Sequence, residues 1–168
     1  MLMPINFKNW INEHRHLLKP PVGNKVVYED TEFIIMVVGG PNIRSDYHIN
    51  EGEEFFYQLE GNIVLKIIEG GEFKDIPINE GDIFLLPPKV PHSPQRTANS
   101  VGLVVERKRA EHEKDGFAWF CDKCKCKLHS EYFHLTDIVK QLPEVFTRFW
   151  NDETKTTCQK CGQKHQKD

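Results

Sequence analysis

Between residues 25 and 107 the chain is cut into short pieces, and this punctuation limits the fold more than any other feature. Seven runs rich in β-branched or aromatic residues occur: Lys25–Tyr28, Phe33–Val38, Glu54–Leu59, Ile63–Ile68, Phe73–Ile78, Asp82–Leu86 and Gly102–Arg107. Turn-forming groups such as Gly39-Gly40-Pro41, Glu60-Gly61-Asn62, Gly70-Gly71 and Pro87-Pro88 separate them. Short strands at regular spacing, with no helical periodicity between them, predict a mainly β sandwich or barrel and exclude βαβ alternation. One short amphipathic helix is expected ahead of them, over residues 6–18. Phe7, Trp10, Ile11, Leu17 and Leu18 share a stripe with His14, Asn6 is a candidate cap, and Lys19-Pro20-Pro21-Val22-Gly23 ends it. The 168 residues suit one domain, or one with a small appendage. The apolar fraction is only 39%, but 11 Phe, 3 Trp and 4 Tyr supply a core.

Beyond Arg107 the composition changes. A charged connector, Lys108–Asp115, leads to a module holding all five cysteines between Cys121 and Cys161. Clustering of this kind points to a metal or redox site rather than a disulfide framework. Cys121-x2-Cys124 and Cys158-x2-Cys161 form two knuckles 33 residues apart. Four thiolates at tetrahedral geometry suit zinc or iron, and a site closed by four sulfurs predicts a structural or electron-transfer role. Cys126 is read as a free thiol, with competition between Cys124 and Cys126 left open. Between the knuckles, Ile138, Val139, Leu142, Val145, Phe146 and Phe149 predict a helix near Thr136–Trp150 that Pro143 kinks or divides. The module's 9 basic and 7 acidic residues give +2, and the whole chain carries −3. Neither balance fits a nucleic-acid partner. The N-terminal MLMPINFKNW lacks an apolar h-region, and no run approaches the ~18 apolar residues of a membrane span, so a cytoplasmic protein with no membrane partner is expected.

Within the β zone two spacings stand out: His48-x5-Glu54-x6-Gly61, and Gly81-x5-Pro87-x4-His92. They resemble the two motifs of the cupin superfamily, a double-sheet jelly-roll barrel. His48 and Glu54 flank a tight connection at Glu51-Gly52, and His92 arrives from a later strand. Two imidazoles and one carboxylate make a facial triad, which suits non-haem Fe(II) because open coordination positions remain. Strand parity gives Glu54, not Glu53, the same face as His48. Asn50 stands where many cupins carry another histidine, Lys89 replaces a usual glycine, and Arg96 replaces a common asparagine; the last implies a pocket for an anion. The remaining histidines (14, 16, 112, 129, 134 and 165) read as surface or packing residues.

Longer segments narrow the resemblance. Leu18–Asn24, Val37–Asn42, Asp46-Tyr47-His48, Glu54–Gln58, Gly81–Pro88, His92–Arg96 and Val105-Glu106-Arg107 are similar to the 3-hydroxyanthranilate 3,4-dioxygenase family, in its form with an extra C-terminal metal site. The likeness runs from about residue 6 to 162. It implies a cupin domain over 1–110 and a rubredoxin-like four-cysteine extension over 111–168. It also implies Fe(II) on His48, Glu54 and His92, a second Fe or Zn ion on Cys121, Cys124, Cys158 and Cys161, and a homodimer. Arg44 would lie near dioxygen, and Glu54, Arg96 and Glu106 would contact substrate. Glu106 would either take a substrate proton or order Arg96. The implied reaction opens the ring of 3-hydroxyanthranilate with O2. The other reading of the same residues is a metal-containing cupin that binds or isomerises a small anionic metabolite without oxygen.

Overall fold

The punctuated runs pair as antiparallel strands in two sheets. The computed structural model describes residues 3–20, 23–136 and 138–166; Pro21 and Val22 of the expected helix stop, and the side chains of Ile138 and Val139, lie outside the described residues. One sheet has the order β1 (Asn24–Val26), β2 (Phe33–Gly39), β9 (Val101–Arg107), β4 (Glu54–Glu60), β7 (Ile83–Leu86). The facing sheet has the order β11 (Lys127–Phe133), β10 (Asp115–Phe120), β3 (Asp46–Ile49), β8 (His92–Arg96), β5 (Ile63–Glu69), β6 (Glu72–Ile78). Together they make the barrel expected from the turn spacing, in the jelly-roll form that the cupin resemblance implies.

All seven expected runs are strands, with ends moved by no more than two residues. Their alternation decides what lies inside. On β4, Glu54, Phe56 and Gln58 are buried while Phe55 and Tyr57 are only partly so. On β5, Ile63, Leu65 and Ile67 point the same way and pack with Met36, Ile78, Leu86 and Val104 between the sheets. Each such side chain contributes about 1.5–3 kcal/mol on burial.

Helix α1 (Phe7–His14) starts where Asn6 Oδ1 accepts the amide of Asn9 at 3.0 Å. It lays Ile11 on Val37 and Val101, which face outward from the five-stranded sheet, and Leu18 closes the same cluster. A 3₁₀ turn, Arg15–Leu17, follows it. Helix α2 (Ile138–Trp150) buries Val145 and Phe149, and the Phe149 ring stacks on Trp119 at 4.2 Å. Pro143 does not divide this helix, which is continuous from Ile138 to Trp150; packing of its C-terminal half on Trp119 holds it in place. A short helix α3 (Glu153–Thr156), capped by Asp152, leads into the second cysteine pair.

Strands β3, β8, β10 and β11 carry no apolar alternation that the sequence reading could use. β8 reads His92-Ser93-Pro94-Gln95-Arg96, and its inward positions are polar because they belong to the site. Pro94 fits there because the pairing of β3 with β8 is limited to His48 and His92. β10 pairs with β3, Phe117 opposite His48 and Trp119 opposite Asp46. The chain past residue 110 therefore adds two strands to the six-stranded sheet before it reaches the cysteines. Among the described residues no helix is long and apolar enough to cross a membrane.

Candidate metal centre and substrate pocket

Adjacent strands of one sheet deliver His48 and His92, which sit directly opposite each other, and β4 of the facing sheet delivers Glu54. One donor atom from each of the three lies within 4.8 Å of the others, and all three side chains are buried. Glu53 is exposed, as alternation requires. One nitrogen of each ring is engaged outside the cluster. His92 Nδ1 lies 3.0 Å from the Val90 carbonyl, and His48 Nε2 lies 2.6 Å from Asp115 Oδ2. These contacts set tautomer and ring orientation and leave one nitrogen of each ring for a metal. Phe117 stacks on His48 at 4.9 Å, and Phe56 stands edge-on to His92 at 6.4 Å.

Burial alone would push the Glu54 carboxyl up, but the imidazoles of His92 and His48 outweigh that and hold it well below the carboxylate range. Burial keeps His48 below the ordinary imidazole range despite Asp115. Glu54 Oε2 is buried with no hydrogen-bond partner, although it lies 3.1 Å from His92 Nε2. An ionised, shielded oxygen beside two imidazoles fits a divalent cation. Asn50, at the position of an additional histidine in many cupins, turns away to donate to Glu106 Oε2 at 2.9 Å, so the donor set stays at three.

The other expected site residues differ in what they touch. Arg44 donates to both oxygens of Asp46, its Nε at 3.1 Å from Oδ1. Arg96 is only 5% exposed, and its buried Nη1 has no hydrogen-bond partner among the described residues. Its guanidinium lies over Gly102, where a Cβ would come within 2.9 Å of Nη1; no other residue leaves that room. Burial, aggravated by Arg44, lowers the Arg96 pKa to about 10, against the opposing pull of Glu54. Glu106, cross-strand from Glu54, is raised to about 7 by burial and by the Glu54 charge. Its partners are Arg109 and Asn50 rather than Arg96. A cavity of about 490 Å³, walled by Val26, Ile34 and Met36, reaches Glu106 and Arg109 at its polar side.

Arg109 and Asp115 are not legible as site residues in the sequence, where Lys108–Asp115 reads as a charged connector. The only available signal was that Asp115 directly precedes the apolar run Gly116–Phe120.

The cysteine pairs converge as separate knuckles. Cys121 Sγ lies 3.6 Å from Cys161 Sγ and Cys124 Sγ lies 3.4 Å from Cys158 Sγ, with all four sulfurs within 4.8 Å. Tetrahedral zinc at its usual Zn–S length of roughly 2.3 Å would need sulfurs roughly 3.7 Å apart. The knuckles repeat one backbone pattern. Lys125 N donates to Cys121 O and Cys121 N to Cys126 O; Gly162 N donates to Cys158 O and Cys158 N to Gln163 O. Lys125 and Gly162 take the same left-handed conformation, φ 59° and 72°. Cys126 thus occupies the place of Gln163, where the backbone carbonyl does the work, and it lies outside the four-sulfur group. Cys121→Ser should cost the knuckles several of the roughly 10–16 kcal/mol a structural zinc supplies. Cys126→Ser should keep the ion, and metal counts on the two purified proteins check the contrast. His165, the buried histidine of the tail, stacks on Trp150 at 5.4 Å and lies 2.9 Å from Asp122.

A jelly-roll barrel that gathers two imidazoles and a carboxylate from facing sheets defines a cupin with an interior set of metal donors. More narrowly, the chain belongs to the 3-hydroxyanthranilic acid dioxygenase family, whose sequence profile matches residues 1–150. It is similar to the 3-hydroxyanthranilate 3,4-dioxygenase of Xanthomonas euvesicatoria, 56% identical over 165 residues that cover 98% of this chain and 93% of that one. The protein of the same name from Jannaschia sp. is 56% identical over 98% of this chain and 92% of its own. Among solved structures, a cupin-2 domain containing protein from Shewanella frigidimarina aligns at 18% identity and TM-score 0.49, over 61% of this chain and 93% of that one.

Proposed function

We propose that this protein cleaves the ring of 3-hydroxyanthranilate with dioxygen, between the hydroxyl-bearing carbon and its unsubstituted neighbour. The product is 2-amino-3-carboxymuconate semialdehyde, which closes unaided to quinolinate, a precursor of NAD. The observation that carries this reading is the convergence of the donors of His48, Glu54 and His92 inside the barrel. His48, Glu54 and His92 would hold ferrous iron, which would supply open coordination positions for an aminophenol and for dioxygen. The chain's own groups do the rest. Arg96, buried and short of a partner, takes the substrate carboxylate, for which a planar guanidinium is better suited than an ammonium. Glu106, with its pKa raised to about 7, accepts a proton from the substrate hydroxyl or amino group near neutrality. Arg44, steadied by Asp46, offers positive charge to developing negative charge on oxygen. The apolar walls Val26, Ile34 and Met36 shield the ring from water.

Anaerobic loading with Fe(II), then addition of 3-hydroxyanthranilate and air, should consume O2 and raise the absorbance of the muconate semialdehyde. No O2 uptake by the iron-loaded protein would overturn the proposal. Substrate loss without O2, or with zinc in place of iron, would point to the non-oxidative cupin.

Zinc or iron in the four-cysteine site would serve folding, since that site has no open position. A cytoplasmic location is supported by cysteines gathered as a four-sulfur ligand set rather than joined in disulfides. A homodimer is supported by exposed Phe33, Ile83 and Leu85 on the five-stranded sheet, and sedimentation at twice the 19.6 kDa chain mass checks it.

A further inference from the structure

The connector after β9 folds back into the barrel. Glu113 accepts from Arg107 and from the amide of Ala110, and the Glu113 amide returns to Ala110 O at 3.0 Å. This closed turn aims Arg109 inward, where its side chain is 4% exposed. All three guanidinium nitrogens are used. Nη1 lies 2.8 Å from Glu106 Oε1 and Nη2 donates to Glu106 Oε2 at 3.0 Å. Nε donates to Asp115 Oδ1 at 2.8 Å and Nη2 to Asp115 Oδ2 at 2.6 Å. Asp115 is fully buried, and the same Oδ2 holds His48 Nε2 at 2.6 Å. One unbroken chain of contacts therefore runs from Glu106 through Arg109 and Asp115 to His48.

We infer that Arg109 is a positioning residue that sets both ends of the site at once: Glu106 at the substrate end and, through Asp115, the ring of His48 at the metal end. The substrate half of this inference rests on the function proposed above. Asp115 can only accept, so the Nε2 it holds carries the proton and the lone pair of the other nitrogen is free for a metal. A guanidinium is required because two carboxylates on different strands must be spanned by one rigid fork. A lysine ammonium is a single point that cannot reproduce three directed hydrogen bonds and the further Nη1 ion pair. The three buried carboxylates Glu54, Glu106 and Asp115 also need a cation among them, and Arg109 contacts two of them directly.

The test compares Asp115→Asn and Arg109→Lys in the full chain. It measures the dissociation constant for Fe(II) under anaerobic conditions, KM and kcat for 3-hydroxyanthranilate at saturating iron, and thermal unfolding. Asp115→Asn should weaken iron binding about 10- to 100-fold and leave KM within about twofold of the parent. Arg109→Lys should weaken iron binding about tenfold and also raise KM about tenfold, through the loosened Glu106. The inference is overturned if Arg109→Lys moves only one of the two quantities. It is equally overturned if Asp115→Asn raises KM as much as Arg109→Lys does. Should Arg109→Lys fail to fold, Asp115→Asn decides alone, and unchanged iron affinity ends the inference. If the parent protein binds iron but does not turn over 3-hydroxyanthranilate, the functional proposal fails while the iron-affinity comparison still reads the link from Arg109 to His48.

Discussion

His92→Ala is expected to strip the barrel of its metal while the four-cysteine ion stays in place. His92 is fixed from behind by the Val90 carbonyl, so its Nε2 has a single direction, toward Glu54. No neighbouring side chain can replace that donor: Phe56 stands beside it, and Asn50 is committed to Glu106. Loss of an outer hydrogen bond to a ligand already costs 10- to 100-fold, so loss of the ligand should reduce turnover by about 100-fold or more. The metal-free protein should also be weakened. In the parent, burial of Glu54 is offset first by His92, and removal of the imidazole leaves a buried carboxylate with less compensation. Breaking a buried pair from one side costs about 3–5 kcal/mol. The sign with pH follows from the lowered Glu54 pKa. The parent's stabilisation is present above the carboxylate range and is lost as the pH falls through the Glu54 pKa. The stability gap between parent and variant should therefore be widest near neutrality and close on acidification. Metal analysis and urea unfolding at two pH values measure both effects, and normal metal content in the variant would remove His92 from the ligand set.

Arg96→Met should separate binding from stability in the opposite direction. In the free protein the Arg96 cation is desolvated, and its Nη1 lacks a partner. A pKa lowered to about 10 corresponds to a penalty on the order of 3 kcal/mol, felt throughout the neutral range and relieved only above about pH 10. Methionine keeps much of the aliphatic stem and removes the charged group that lies over Gly102. Thermal unfolding without substrate should thus be unchanged or shifted upward. Substrate engagement should collapse, because truncating one partner of a buried hydrogen-bonded charge pair costs about 2–5 kcal/mol. That corresponds to roughly 30- to several-thousand-fold in kcat/KM. Metal content should remain that of the parent. A variant that loses both its metal and its fold would show that Arg96 supports the barrel instead.

Much of this architecture is legible in the chain because barrel strands advertise themselves when they pack a core. β2, β4, β5 and β9 are short runs rich in β-branched or aromatic residues, and parity alone separates buried Glu54 from exposed Glu53. The paired cysteines are equally plain, since two identical spacings seldom arise without a shared ion. Legibility fails where strands serve the site. β3 and β8 place polar groups inward and break the pattern that identifies a strand. Arg109 and Asp115 fail for another reason: their meaning comes from partners far away in the chain. Asp115 meets His48 across 67 positions, and a charged stretch offers no hint of that contact. Cys126 looked like an anomaly among the thiols because spacing cannot show that its neighbour Lys125 adopts the left-handed turn that Gly162 adopts in the other knuckle.

Strand β10 begins at Asp115 beside His48, stacks Phe117 on that imidazole, and ends at Phe120, one residue before the first thiolate. Six residues of extended backbone, about 20 Å, are thus shared property of both centres. A shortened version of the protein that discards the cysteine region has to be cut after Phe120, not ahead of Asp115; an earlier cut would remove a wall of the reaction chamber along with the tail.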